Sequence, residues 1–325
     1  LPARFRVSNK MGAETSLGEF KEQLTRFTWK QTTGASHLRG CHAFQRELDR
    51  GGYVVKETCL APGGQPRPDS GGVVVTAYKR DLLGRETGRS FFDGNGLPVL
   101  DYRAVHGERY ELNLDGLVKS ITYLDARQNS TINRVRNAAR IDYSIDRKGL
   151  VEKVQYLGKA GETVLNPDGV AAVEYEYAPD GFRTEQRYLG SNGEVKAGTV
   201  NRVAIVRMQN DDNGFLAVRM FFDADGRPAA ATRRIHIERL ENNSWGDIVS
   251  QSFAGSDYSQ EADANGVNRY LYEYTPEGKM SAVSCWSSSG KAAVSKGDAA
   301  YHRKTLSYDE RGRVVRELYY DRRGT

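Results

Sequence analysis

The chain has 325 residues, of which only 38% are hydrophobic and 34 are glycine, so a thin interior is expected rather than one deep core. Its formal charge of +5 comes from 47 basic against 42 acidic residues mixed along the chain, which argues against nucleic acid as a partner. The densest basic run, Arg233-Arg234 with His236 and Arg239, is short, and without a run of 18 apolar residues no membrane span is expected.

The start at Leu-Pro-Ala-Arg, without Met, fits either a processed export precursor or a trimmed piece. Residues 1–36 do not follow the pattern of the rest and form an expected N-terminal cap. Ser16 followed by Glu19 is a capping-box spacing, and Leu17, Phe20, Leu24 and Phe27 recur at helical intervals, which favours one amphipathic helix. A degenerate first repeat is the rival reading, since Phe27 and Trp29 also alternate like a strand.

Residues 37–325 are a repeat array. Taking Gly312 in Leu306–Gly324 as an anchor, the equivalent glycines are Gly52, Gly84, Gly116, Gly149, Gly181, Gly214, Gly246 and Gly278, in steps of 32, 32, 33, 32, 33, 32, 32 and 34 residues. A fixed period of this size marks a repeat architecture. Seven residues after the anchors stand Cys59, Phe91, Tyr123, Tyr156, Tyr188, Phe221, Phe253, Cys285 and Tyr319, a ladder expected to face inward. Eleven before them, from Cys41 and Val73 to Val267 and Tyr301, no residue is charged. Asp or Asn stands three before most anchors, where it bonds local backbone while glycine takes a positive φ. A second glycine follows twelve after the anchor, except at Gln128 and Tyr258, so those two turns are expected to differ.

Each repeat thus reads as a β-hairpin joined through an Asp-x-x-Gly turn, plus a connecting segment of about eight residues. The expected fold is all-β: about nine tandem β-hairpins, with a period of 32–34, in an elongated or spiralling sheet or shell. Cys41 and Cys59 belong to inward columns of one repeat, and with Arg50-Gly51 as the turn Cys41 falls opposite Leu60. A disulfide between them is expected, and export with it.

Tyr308-Asp309-Glu310-Arg311-Gly312-Arg313, followed by Tyr319-Tyr320-Asp321 and Gly324, resembles the YD repeat of rearrangement-hotspot and teneurin-type proteins. Tyr177–Gly181 and Tyr274–Gly278 are weaker matches, and the pattern extends over residues 40–325. The resemblance implies an extracellular or exported protein whose hairpins wind into a β-shell, and it brings no catalytic residues with it.

Three classes of site were weighed. His42, His106, His236 and His302 share the position ten before the anchor, but neighbours two repeats apart cannot converge on one ion, so a structural role is expected. The Asp column reads as turn chemistry rather than paired catalytic carboxylates, and the Asp223-Ala224-Asp225-Gly226 loop lacks the ligands of a calcium loop. No metal or other cofactor is expected. The leading function is a non-catalytic, exported scaffold for protein binding or self-assembly at the cell surface or in the periplasm. A glycan- or cell-wall-binding module, with Trp286 and Tyr320 as the binding surface, is the alternative. A fragment of a rearrangement-hotspot-type shell and a hydrolase site within residues 240–264 stand behind it. The end of the array at Tyr319, Tyr320 and Gly324 carries the expectation of head-to-tail association with another copy.

Overall fold

The structure, a computed structural model, describes residues 40–199, 202–232, 234–296, 300–310 and 312–324. The expected cap at 1–36, with Ser16 and Glu19, lies outside the described residues. Those described contain eighteen strands and no helix. They pack as two units, one holding 40–173 with 190–193 and the other 174–189 with 194–324.

In the first unit, β1 (Ala43–Leu48) pairs with β2 (Val54–Leu60), and β3 (Val75–Arg80) with β4 (Glu86–Phe92). β5 (Gly107–Leu112) then pairs with β6 (Val118–Leu124), and β7 (Arg140–Ile145) with β8 (Val151–Leu157). Antiparallel pairs β2–β3, β4–β5 and β6–β7 join these hairpins in chain order. β9 (Ala172–Tyr177) and β10 (Arg183–Leu189) form the fifth hairpin. The second unit continues with β11 (Ile205–Asn210), β12 (Leu216–Phe222), β13 (Ile237–Asn242), β14 (Ile248–Ala254), β15 (Arg269–Tyr274), β16 (Met280–Trp286), β17 (Arg303–Tyr308) and β18 (Val314–Tyr320). From β10 to β18, every strand pairs with its chain neighbours.

The turn chemistry explains why the hairpins recur. Asp49 Oδ1 accepts from the backbone N–H groups of Gly51 and Tyr53, both at 2.9 Å, while Gly52 N–H donates to Asp49 O at 3.0 Å. This is a three-residue loop, a type I turn closed by a left-handed glycine and a bulge. The register shift falls in the same place in the eight hairpins other than β9–β10, as between Glu47 and Leu48. The bulge corrects one expectation: Ala43, and not Cys41, lies opposite Leu60, because the loop holds Arg50, Gly51 and Gly52 instead of two residues.

The same side-chain turn occurs up to three times per repeat, where only the hairpin turn was read as Asp-led. Asp93, Asp125 and Asp223 close a second turn just after the even strands, and Asp69, Asp101, Asn166 and Asp263 a third before the next hairpin. Between these two turns the connecting segment folds back along the even strand. Val99 N–H, for example, donates to Phe91 O at 3.1 Å. Gln128 and Tyr258 do not make different turns. They adopt φ of 66° and 65°, close to the glycines of that series, and keep the hydrogen bonds to Asp125 O and Gly255 O. The surrounding turn over-determines the backbone, so a non-glycine residue is forced into it.

The core lies where these elements meet. Val73, Val105, Ala138, Val170, Val203, Ile235 and Val267 are all buried, in the column that the sequence leaves uncharged. Burying side chains of this kind contributes on the order of 1.5–3 kcal/mol each. At five hairpin tips, those of Gly84, Gly116, Gly149, Gly214 and Gly312, the residue after the preceding anchor packs over the anchor glycine. A Cβ at Gly84 would meet the Tyr53 ring, and one at Gly214 the Phe182 ring. Those glycines therefore serve both a left-handed φ and close approach between repeats.

Candidate functional site

The aromatic ladder is an inward column in the first unit, where Phe91, Tyr123 and Tyr156 are buried along with Cys59. Tyr188, Phe221 and Phe253 are half-buried. Tyr319 is a correction: it is 44% exposed, on a strand whose residues 314–317 are exposed too. The sulfurs of Cys41 and Cys59 are bonded, with their Cα atoms 5.4 Å apart. Cys285 is a buried free thiol whose pKa is pushed up to about 11, first by burial and then by the charge of Asp263.

The two residues expected to form a glycan platform are not together on an open face. Trp286 packs edge-on against His302 with ring centroids 5.3 Å apart, and Tyr320 lies half-buried on β18 opposite Arg303. The histidine column holds backbone carbonyls. His302 Nδ1 lies 2.8 Å from Cys285 O, and His106 Nδ1 lies 3.2 Å from Val99 O, so each ring carries its proton on Nδ1. Asn268, in the same column, donates from Nδ2 to Phe253 O at 3.0 Å. The column satisfies the backbone where the connecting segment leaves the strand.

A buried ionic network was not read from the sequence. Glu108, 5% exposed, lies 2.5 Å from Arg103 and 3.2 Å from Arg89, and Tyr110 OH donates to it. Burial raises the Glu108 pKa, but Arg89, Arg103 and the Tyr110 hydroxyl outweigh it and hold the carboxyl below its ordinary value. At Glu86, also beside Arg89, burial wins and the pKa rises. The second unit repeats the cross-strand pair as Arg219 and Glu238, 2.9 Å apart. The signal was available: arginine five after one anchor and glutamate eight before the next face each other only once the register is known.

In residues 240–264 the carboxylates of Glu241, Asp247, Asp257 and Asp263 are engaged, Asp247 accepting from Asn243 Nδ2 at 3.1 Å. Glu241 pairs with Arg269, and Asp257 accepts from Ser259. Asp263, at the edge of that stretch, accepts two backbone N–H groups and the Tyr270 hydroxyl. Among the described residues no group of three His, Cys, Asp or Glu side chains is placed to hold a metal ion. A hollow of about 380 Å³ adjoins this stretch, lined among others by Arg239, Ser252, Tyr258, Gln260, Asn268 and Arg269. Large exposed apolar side chains lie in the connecting segments, as at Leu97, Leu100, Tyr102 and Val135, and at the tips of the first three hairpins. Leu82 and Leu114 are fully exposed there, with Leu48, Tyr53 and Leu83 beside them.

These features define a tandem β-hairpin repeat protein whose repeats share one turn-and-column plan. No known protein family matches the chain, and no curated protein does. Among solved structures, the chain aligns over 86% of its length with a chain of a TcdB2-TccC3-Cdc42 crystal structure, at 12% identity and a TM-score of 0.39. It aligns over 85% with a Photorhabdus luminescens Tc holotoxin pore at 11% identity and a TM-score of 0.33. A porin-like protein from Bacteroides uniformis aligns over 77% of this chain and 89% of its own, at 12% identity and a TM-score of 0.24. The chain spans only 13% and 15% of the two toxin chains. Likeness at this level assigns neither family nor function.

Proposed function

We propose that this chain is a non-catalytic, exported scaffold of YD-like repeats that holds a protein partner or a second copy of itself along its hairpin tips. The observation that carries this reading is the apolar row at Leu48, Tyr53, Leu82, Leu83 and Leu114. Contiguous exposed apolar residues mark interaction surfaces on soluble proteins. The row is continuous because successive tips touch: Tyr53 packs over Gly84, and Arg85 lies over Gly116 with its Nη1 donating to Leu114 O at 3.4 Å. The chemistry of the turns supports a non-catalytic role, since the Asp column is engaged by backbone N–H groups. The Cys41–Cys59 bond supports an oxidising compartment.

Light scattering over a concentration series tests the self-association. The mass of the native chain is expected to rise with concentration, and that of Leu82→Asp/Leu114→Asp to stay monomeric. Both leucines are solvent-exposed, so the fold should tolerate the change to within about 0.5 kcal/mol. A native chain that stays monomeric throughout removes self-association. Export is tested by thiol counting after denaturation: one free thiol, that of Cys285, is expected, and three in oxidised material would sink it.

A further inference from the structure

The second turn of seven repeats ends in glycine, yet two repeats place a side chain there with φ near 65°, at Gln128 and Tyr258. The surrounding turn imposes that backbone, and the Tyr258 side chain gives folding little in return. It is 63% exposed, and its ring contact is with the guanidinium of Arg239, 5.6 Å from the centroid. Arg239 in turn makes no hydrogen bond or ion pair to any described residue. Both line the hollow of about 380 Å³.

The register builds the floor of that hollow. Arg239 pairs across to Ser252, and Ser252 to Arg269, so two arginines flank one small hydroxyl on a single face. Arg269 is held by Ser250 Oγ at 2.9 Å and by Glu241, whereas Arg239 is free to meet a ligand. The charge over the floor is therefore one cation in excess. Gln260 supplies an amide group at the rim, while the Asn268 amide is buried and donates to backbone carbonyls.

The same arrangement stands in the first unit. The sequence Phe-Phe-Asp-x-x-Gly-x-Pro followed by His-x-Glu-Arg-x-Glu-x-Asn occurs at Phe91–Asn113 and again at Phe221–Asn243. Arg109 pairs with Thr122, and Thr122 with Arg140, while Arg140 meets Glu111 at 3.0 Å. In that repeat Gln128 stands at the same turn position as Tyr258, with Ala104 also left-handed in the preceding turn. Of the nine repeats, the two that carry the arginine–hydroxyl–arginine row are the two with a side chain in place of the second-turn glycine; Asn137 and Arg202 are left-handed in other repeats, at a different turn.

We infer that the hollow over Ser252 binds an acidic saccharide. A pyranose presents a flat C–H face that stacks on an aromatic ring such as Tyr258, and equatorial hydroxyls that pair with planar amides. Its carboxylate matches the fork of the Arg239 guanidinium, with Arg269 as the second donor. A peptide anchor would want a deep apolar pocket, whereas here Tyr258 is the one strongly exposed apolar side chain of the lining. The inference goes beyond the scaffold reading and does not depend on it: a strictly monomeric chain still carries the hollow.

Calorimetric titration of the full chain with a trimer of galacturonic acid, and with the neutral galactose trimer, tests it. Saturable binding of the acidic trimer is expected, at least about tenfold tighter than the neutral one. Tyr258→Gly and Arg239→Gln should each weaken it by about tenfold or more, and Tyr258→Gly should melt no lower than the native chain, because glycine relieves the backbone. Equal binding of the two trimers, native-like binding by either variant, or equally tight binding of triglutamate would overturn the inference.

Discussion

Tyr258 and Gln128 stand in a left-handed conformation that costs an L-residue roughly 1–2 kcal/mol. At Gln128 the turn keeps the two backbone N–H bonds to Asp125 Oδ1 that its glycine-bearing counterparts have. Gln128→Gly should therefore raise stability, offset in part by the extra freedom glycine gives the unfolded chain. A net gain of about 0.5–1 kcal/mol is expected in urea unfolding; a loss would mean that the glutamine side chain holds the turn. The glycine series was readable in the sequence because φ near 80° selects for it. The two exceptions misled, because side-chain identity does not report whether a turn is optional or imposed by its neighbours. Tyr319 misled in another way: its column predicts direction, while exposure depends on what packs beyond it.

Hairpins are the unit in which the ionic network is built, since Arg89 on β4 and Glu108 on β5 meet only by pairing across two repeats. Removing one partner of a buried pair leaves a charge uncompensated and costs about 3–5 kcal/mol. Glu108→Gln should cost less than that near neutral pH, about 1–3 kcal/mol, because Arg89 keeps Glu86 and Arg103 keeps Asp101. The sign with pH follows from the lowered Glu108 pKa. Its stabilisation is present above the ordinary glutamate value of 4.5 and is lost as pH falls through the folded value. The stability gap between native chain and variant should thus narrow on acidification below about pH 4.5. A gap that stays constant down to pH 3 would show that Glu108 acts through shape rather than charge. Hairpin boundaries and the uncharged column were legible from period and turn residues alone. The expected register lacks the bulge that the hairpins carry, and so gives Cys41 the wrong partner. The second turn is legible from its glycine, but not the Asp that leads it, because glycine replaces that Asp in repeats such as those at Gly190 and Gly255. There the backbone bonds suffice.

A chain whose strands pair with their sequence neighbours has stability that is local, a sum of repeat and interface terms rather than one global core. Burial differs widely along it. β6 has five buried residues of seven, while β18 has none and β1 has none among its six. Buried apolar contacts set the free energy of local opening, which ranges from near zero to the full unfolding value. Amide exchange should therefore be slowest in β6 and in β8, which lies beyond β7, and much faster in β18 and β1, within one molecule. The disulfide at Cys41 and Cys59 restrains β2 more than β1, since it ties the end of β2 to the residue before the hairpin. Reduction should accordingly speed exchange in β2 while leaving β6 and β8 unchanged. Mass-resolved exchange of peptides from these strands measures both effects. Equal protection from β1 to β18, or a response to reduction that spreads to β8, would mean that the repeats unfold together and that the nearest-neighbour description fails.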